Sequence, residues 1–464
     1  MSSFIKFNKY VENIKITIDK FRGMGYNTNR KDGGITMEKI ILKSLTAENF
    51  ASFAEKISFS TEIDSSKKDD FSALFEAADC YFNKVSYMYG ANGSGKTFFC
   101  KIIREIQRLL NFSPLTVGNH SQILSLPQFK GINDPVKTFA FDTAYSDKPS
   151  SFSLDIVICK TTYHYEFSIK GNEIIYELLT KKYRRTEKLL ERTSSSFKDI
   201  LLYSEMKDFE DQKKIVKENA LCLPVAAIFN NSLADTIVKG INQIQVVNMT
   251  AGRIDPTNDK ESFSDERINK YVKILQKADP TLRNMKISFE EEEMGRQKIS
   301  SDDFENREII AMKTTVGIET KHAVFENGAE TCDTSISFFA DESLGTVKLF
   351  TTLPYLYDAL ETGGVLVIDE IENGLHLSLA KEIINLFLDP NTNPNNAQLI
   401  CTSHQPLLIS ENARRDQVWL ANKDSFGKSK LHRLSDMKFS RAKINISNHI
   451  INDAFGFNPM SFFK

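Results

Sequence analysis

Little in this sequence points to sulfur chemistry. Its 464 residues include six cysteines, at positions 80, 100, 159, 222, 332 and 401. None is close enough to another to form a CxxC pair, which excludes a zinc ribbon and a disulfide framework. They read as buried or free thiols of a reducing compartment. A dominant charge is also missing: 59 Lys and Arg face 61 Asp and Glu, a formal net charge of -2, so no global basic field announces nucleic acid. The local basic run Lys181, Lys182, Arg184 and Arg185 reads as a solvated face. No apolar stretch approaches the roughly 20 residues that cross a bilayer, and Lys6, Asn8 and Lys9 interrupt any signal-peptide core. The expectation is a cytoplasmic protein with no membrane partner. No internal repeat or long low-complexity tract is visible.

What is there is α/β in pattern. Residues 1–36 are polar, end in the Asn- and Gly-rich stretch 27–34, and read as an N-terminal extension before Met37. From there, residues 39–47 and 56–60 predict two strands, and 85–89 a buried strand running into glycines. Residues 97–110 carry Phe98, Ile102, Ile103, Ile106, Leu109 and Leu110 at helical spacing. Between 138 and 180 the period falls to two, which predicts an antiparallel sheet with Gly171 and Asn172 at a hairpin turn. Residues 181–285 read as a charged, mostly helical insertion, with amphipathic stretches at 233–244 and 266–277. Residues 289–301 are acidic and predict a loop or weak strand, followed by a β-like segment at 309–325. The last third alternates: helix 344–360, strand 364–369, helix 375–388, strands 397–401 and 416–421. The divisions expected are 1–36, 37–180, 181–285 and 286–464.

The chemistry concentrates at two places far apart in the chain. Gly90, Ala91, Asn92, Gly93, Ser94, Gly95, Lys96 and Thr97 match G-x-x-x-x-G-K-[ST] without deviation, with a strand before and a helix after. Such glycines let the backbone curl so that N–H groups and a helix N-terminus cradle phosphate. Lys96 is expected on the β- and γ-phosphates of ATP, and Thr97 on Mg²⁺. Some 270 residues later, Gly364-Val365-Leu366-Val367-Ile368-Asp369-Glu370 is an apolar strand ending in two acids. Asp369 is the candidate Mg²⁺ ligand and Glu370 the candidate catalytic base. A further strand ends in Thr402-Ser403-His404, and His404 is the candidate γ-phosphate sensor.

These pieces, in this order, resemble the ABC-type ATPase heads, the class of the SMC and Rad50 proteins. Asp341-Glu342-Ser343-Leu344-Gly345-Thr346 opens a helix and looks like a degenerate form of that class's signature. Ser343 is also a good N-cap on its own account. The resemblance implies that Ser343 and Gly345 act in trans on a nucleotide held by another subunit. It places residues 371–376 at the D-loop and His404 at the switch histidine. Within the class the sequence is similar to the AAA15 group of bacterial ATPases, which includes abortive-infection proteins and the ATPase of the PARIS anti-phage system.

The fold implied is an α/β ABC-type P-loop head with an antiparallel β lobe, a mixed or parallel core sheet and a short helical insertion. The activity implied is ATP hydrolysis, slow because the signature keeps a single glycine. The partners implied are further copies of the chain, a toprim-type nuclease effector and a phage-derived trigger. The alternative is a DNA-associated ATPase of the Rad50 or RecF kind. Neither Gln122 nor Gln128 is assigned as a Q-loop residue.

Overall fold

The structure is a computed structural model and describes residues 11–19, 39–63, 73–116, 134–249, 263–301, 304–410, 412–437 and 445–451. The chain forms two compact units, one of Thr36–Thr250 with Ala359–Lys464 and the other of Met1–Ile35 with Ala251–Asp358.

The first unit is built on a six-stranded sheet, in the order β13 (Gln245–Asn248), β17 (Val365–Asp369), β18 (Gln398–Ser403), β7 (Val85–Gly90), β19 (Val418–Lys423) and β20 (Ser429–Arg433). All neighbours are parallel except β19 and β20. Strands β7, β17 and β18 are buried along their whole length. A parallel sheet is covered on both faces, which is why Val365-Leu366-Val367-Ile368 runs apolar without alternating. Helix α1 (Lys96–Phe112) follows β7 and buries Phe99, Ile102, Ile103, Ile106, Leu109 and Leu110, one stripe at i, i+3, i+4 and i+7.

A seven-stranded antiparallel sheet runs β12 (Ile200–Leu202), β11 (Thr186–Arg192), β10 (Glu173–Lys182), β9 (Thr161–Lys170), β8 (Ser150–Ile158), β2 (Ile40–Glu48) and β3 (Ile57–Ser60). Gly171 takes φ of 61° at the β9–β10 turn, a conformation that favours glycine. A small sheet, β4 (Glu62–Ile63), β6 (Cys80–Asn83) and β5 (Leu74–Ala77), completes this unit's strands.

The predicted helical insertion is different in kind. Residues 181–285 hold β11 and β12 of the antiparallel sheet, β13 of the core sheet, and helices α2 (Cys222–Ile228), α3 (Ser232–Asn242) and α4 (Asp265–Ala278). Part of it is integral to the first unit rather than inserted into it, and α4 belongs to the second. The physical reason is buried charge. Glu177 and Arg192 face each other in register on β10 and β11, and both are fully buried. Glu177 accepts N–H bonds from Cys222 (2.7 Å) and Leu223 (2.9 Å) at the start of α2, and the Tyr165 hydroxyl (2.9 Å). The Arg192 guanidinium donates to the carbonyls of Ser194 (2.8 Å), Ala220 (2.7 Å) and Ser195. This buried pair locks α2 onto the sheet. Residues 197–216, dense in charge, form only short 3-10 turns around β12.

The second unit is an antiparallel sheet of β1 (Val11–Asp19), β15 (Phe304–Glu326) and β14 (Leu282–Ser301), with β16 (Ala329–Ser337) also pairing β15. Helices α4, α5 (Phe338–Asp341) and the start of α6 (Leu344–Thr362) accompany it. Its core is aromatic: Phe350 meets Phe338 at 4.9 Å, Tyr271 at 6.0 Å and Phe263 at 6.1 Å between ring centroids. Part of the expected N-terminal extension is thus strand β1, and the rest lies outside the described residues.

Candidate functional site

The parallel register of β7, β17 and β18 delivers three C-terminal strand ends to one edge of the sheet, where α/β proteins bind ligands. The Gly90–Thr97 loop leaves β7, Asp369 and Glu370 leave β17, and Thr402, Ser403 and His404 end β18. The loop has the shape phosphate binding needs. Gly93 and Gly95 sit at φ of 76° and 111°, so successive N–H groups can turn inward. A side-chain carbon at Gly95 would meet Ser429 Oγ at 2.7 Å, and one at Gly90 the carbonyl oxygen of Ala421 at 2.4 Å. Neither position has room for a larger residue. At Gly93 nothing lies within 4 Å, so one side of the loop opens to a ligand. Ser94 Oγ is buried without a hydrogen-bond partner inside the protein.

Lys96 opens α1 and is only 4% exposed. Its ammonium donates to the carbonyls of Gly90 (2.6 Å) and Ala91 (2.9 Å) and to His404 Nδ1 (3.0 Å). Burial pulls its pKa down to about 8, against the opposing pull of Glu370, Glu372 and Asp369. A group that costs this much to bury charged is well matched to an anionic ligand.

The two acids are held differently. Asp369 is buried and accepts from Thr402 Oγ1 (2.7 Å) and Asn248 Nδ2 (3.2 Å). Glu370 has φ of 55°, unusual for a residue with a side chain, and its N–H donates to the same Thr402 hydroxyl at 2.8 Å. Its carboxylate accepts from His404 Nε2 at 3.2 Å and Asn373 Nδ2 at 3.1 Å. With Lys96 donating to Nδ1, Nε2 is the nitrogen that donates to Glu370. The result is one continuous chain, Lys96–His404–Glu370–Asn373. Glu372 takes the His404 N–H at 2.6 Å, and its other oxygen is buried without a partner.

The structure brings Gly90 to Thr97, Asp369, Glu370 and His404 to one edge of the sheet. It adds Asn248, which sequence reasoning did not assign, and gives contacts to Thr402 and to Glu372 and Asn373 of the 371–376 segment, for which no individual role was expected. Asn248 sits opposite Asp369 in the β13–β17 register, a relation no local pattern discloses. Ser343 and Gly345 lie in the second unit. There Ser343 caps α6, its Oγ accepting the Thr346 N–H at 3.1 Å while Val347 N–H reaches its carbonyl at 3.0 Å. Gln122 and Gln128 lie outside the described residues. The hard oxygen donors Thr97 and Asp369, the open loop at Gly93 and the unpartnered oxygens of Ser94 and Glu372 suit a magnesium nucleotide.

Residues 244–410 match the family described as "AAA domain, putative AbiEii toxin, Type IV TA system". That stretch holds Ser343, Asp369, Glu370 and His404, and stops short of the phosphate loop. No curated protein matches the chain. Among solved structures, the SMC head domain from Thermotoga maritima is similar at 12% identity and a TM-score of 0.34, covering 84% of this chain and 98% of that one. The recombination mediator RecF, solved as RecF-ATPrS in the RecFOR pathway, is similar at 12% identity and a TM-score of 0.33, covering 85% and 99%. At such scores the functional reading rests on the site itself. Among the described residues no helix is long and apolar enough to cross a membrane.

Proposed function

We propose that the protein is a Mg²⁺-dependent ATPase whose nucleotide gates its assembly with further copies of itself. The observation that carries this is the contact chain Lys96–His404–Glu370 at the mouth of the phosphate loop, with links of 3.0 Å and 3.2 Å. When bound, Mg²⁺–ATP supplies the γ-phosphoryl group that is attacked. Lys96 and the N–H groups of the loop would bind the β- and γ-phosphates, while Thr97 and Asp369 would hold the metal. Glu370, steadied by Asn373, takes the proton of the attacking water at its carboxylate. His404 links that carboxylate to Lys96, so base and phosphate anchor are oriented together. Ser343 and Gly345 complete the site of a neighbouring copy.

The assembly serves as a scaffold and sensor in anti-phage defence, holding a toprim-type nuclease effector until a phage product arrives. Support for this finer reading is the AAA15 likeness of the signature and 363–376 segments, and the family match whose description names a toxin. Two experiments test the two levels. Glu370→Gln is expected to keep ATP affinity and lose about a hundredfold or more in turnover, the scale of a removed general base; unchanged turnover sinks the catalytic assignment. Co-purification with the product of the neighbouring reading frame tests the scaffold, and absence of a complex with or without ATP refutes it.

A second reading, a DNA-associated ATPase, has one observation behind it. The β10–β11 hairpin tip exposes Lys182, Arg184 and Arg185 around Tyr183, which is 65% exposed. Hydrolysis unaffected by added DNA would remove it.

A further inference from the structure

The turn that presents Ser343 is anchored by its preceding residue. Glu342 ends the short helix α5, and its side chain is only 4% exposed. Two groups from one face of β15, two residues apart, grip the same carboxylate oxygen: Thr320 Oγ1 at 2.6 Å and His322 Nε2 at 2.7 Å. Thr320 is fully buried and His322 nearly so. The other ring nitrogen, Nδ1, meets Thr281 Oγ1 at 2.9 Å, and Asp279 Oδ2 lies 3.7 Å away. Asp279 is itself fixed at the end of α4 by the N–H and hydroxyl of Thr281, at 2.9 and 2.7 Å. On the other side of α5, Phe338 is buried against Phe350. The turn is thus pinned at both ends, and Ser343 and Leu344 stand exposed between α5 and α6.

We infer that His322 is a positioning residue: through Glu342 it sets where Ser343 is offered to the nucleotide of a second copy. The inference rests on the trans-acting reading of Ser343 above. A buried carboxylate with two donors has one favoured orientation, and a site shared between copies needs its contacting group held that way before the copies meet. Asp279 and Glu342 lie nearest opposite nitrogens of the ring, at 3.7 and 2.7 Å, so the imidazole bridges the end of α4 to the turn.

The test uses the full chain and three substitutions, His322→Ala, Thr320→Val and Ser343→Ala. Each is measured for ATP affinity at a protein concentration below association, for ATP-dependent association by analytical ultracentrifugation, and for turnover at saturating Mg²⁺–ATP. His322→Ala is expected to keep ATP affinity within twofold while association and turnover fall at least tenfold, as they do in Ser343→Ala. Added imidazole, filling the space left by the ring, is expected to restore His322→Ala but not Ser343→Ala. Association and turnover unchanged in His322→Ala, or ATP affinity lost in step with them, overturns the inference. Should His322→Ala not fold, Thr320→Val, which removes one donor of the pair, decides the same comparison with a smaller loss. If Ser343→Ala itself changes nothing, the trans-acting reading falls. If Ser343→Ala weakens association and His322→Ala does not, only the positioning role falls.

Discussion

Thr402 offers a sharp test of how the two strand-end acids are held. Its hydroxyl is fully buried, donates to Asp369 Oδ1 at 2.7 Å and accepts the Glu370 N–H at 2.8 Å. Thr402→Val keeps the shape and deletes both bonds. A lost bond to a charged group costs about 1.5–3 kcal/mol, and an amide left unsatisfied about 1–3 kcal/mol. Stability should therefore drop by roughly 3–5 kcal/mol in that unit. The effect on turnover follows from the Glu370 backbone. Its φ of 55° persists only while its surroundings impose it, and the N–H bond to Thr402 is one of those restraints. Release of Glu370 costs less than its removal, so turnover should fall about 10- to 100-fold, or roughly 1.4–2.7 kcal/mol of barrier. Thr402→Ser keeps the hydroxyl and should stay within about threefold of wild type. The assays are steady-state phosphate release at saturating Mg²⁺–ATP and chemical denaturation of the full chain. Equal rates for the Val and Ser variants would refute the reasoning, because the hydroxyl would then make no difference to turnover. The backbone bond from Ile371 N–H to the Thr402 carbonyl, 3.2 Å, survives in both and serves as the internal control.

Two further predictions concern the antiparallel sheet. Glu177→Ala removes the acceptor for the first N–H groups of α2 and leaves Arg192 buried without its opposing charge, so denaturation should show a loss of about 3–5 kcal/mol; a loss under 1 kcal/mol would show the pair to be incidental. His164 donates between Asp155 (2.6 Å) and Glu166 (3.4 Å), and the Asp155 bond, with help from Glu166, lifts its pKa to about 9. A raised folded-state pKa stabilises fully below the ordinary value near 6.5 and is lost as pH rises towards 9. The stability advantage of wild type over His164→Asn, on the order of 1 kcal/mol after solvent screening, should be present at pH 6 and gone at pH 10. An advantage that grows with pH would contradict the assignment.

The parts of this protein legible in its sequence are those whose physics is local. The phosphate loop is eight contiguous residues between a buried strand and an amphipathic helix, and the structure starts and ends those elements within two residues of expectation. Asp369 and Glu370 were legible because a strand buried on both faces reads as an unbroken apolar run. The acidic stretch 289–301 was legible only as a loop or weak strand, because its strand character comes from its partner: Glu290 stands opposite Thr315 and Lys298 opposite Glu308, across a pairing with no local signature. Phe139 and Phe141 failed in the other direction. Two apart, they fitted the period of two read from residue 138 and should share a face of the sheet, yet both precede β8; Phe139 is buried while Phe141 is 69% exposed.

The same distinction separates the residues that name the site from those that tune it. Thr402 and Asn248 reach Asp369 from strands on either side of β17, and their contact depends on register. A one-residue slip would turn both side chains to the opposite face of the sheet. Asn248 belongs to β13, inside the stretch whose charge suggested a helical insertion. That misreading hid a member of the site as well as an edge of the fold. Glu177 explains how. By spending a buried carboxylate on the start of α2, the antiparallel sheet fixes the helix pair α2 and α3 that leads directly into β13. Weakening Glu177, whose carboxylate holds Tyr165, Cys222 and Leu223, should therefore disturb the placement of Asn248 and the hold on Asp369.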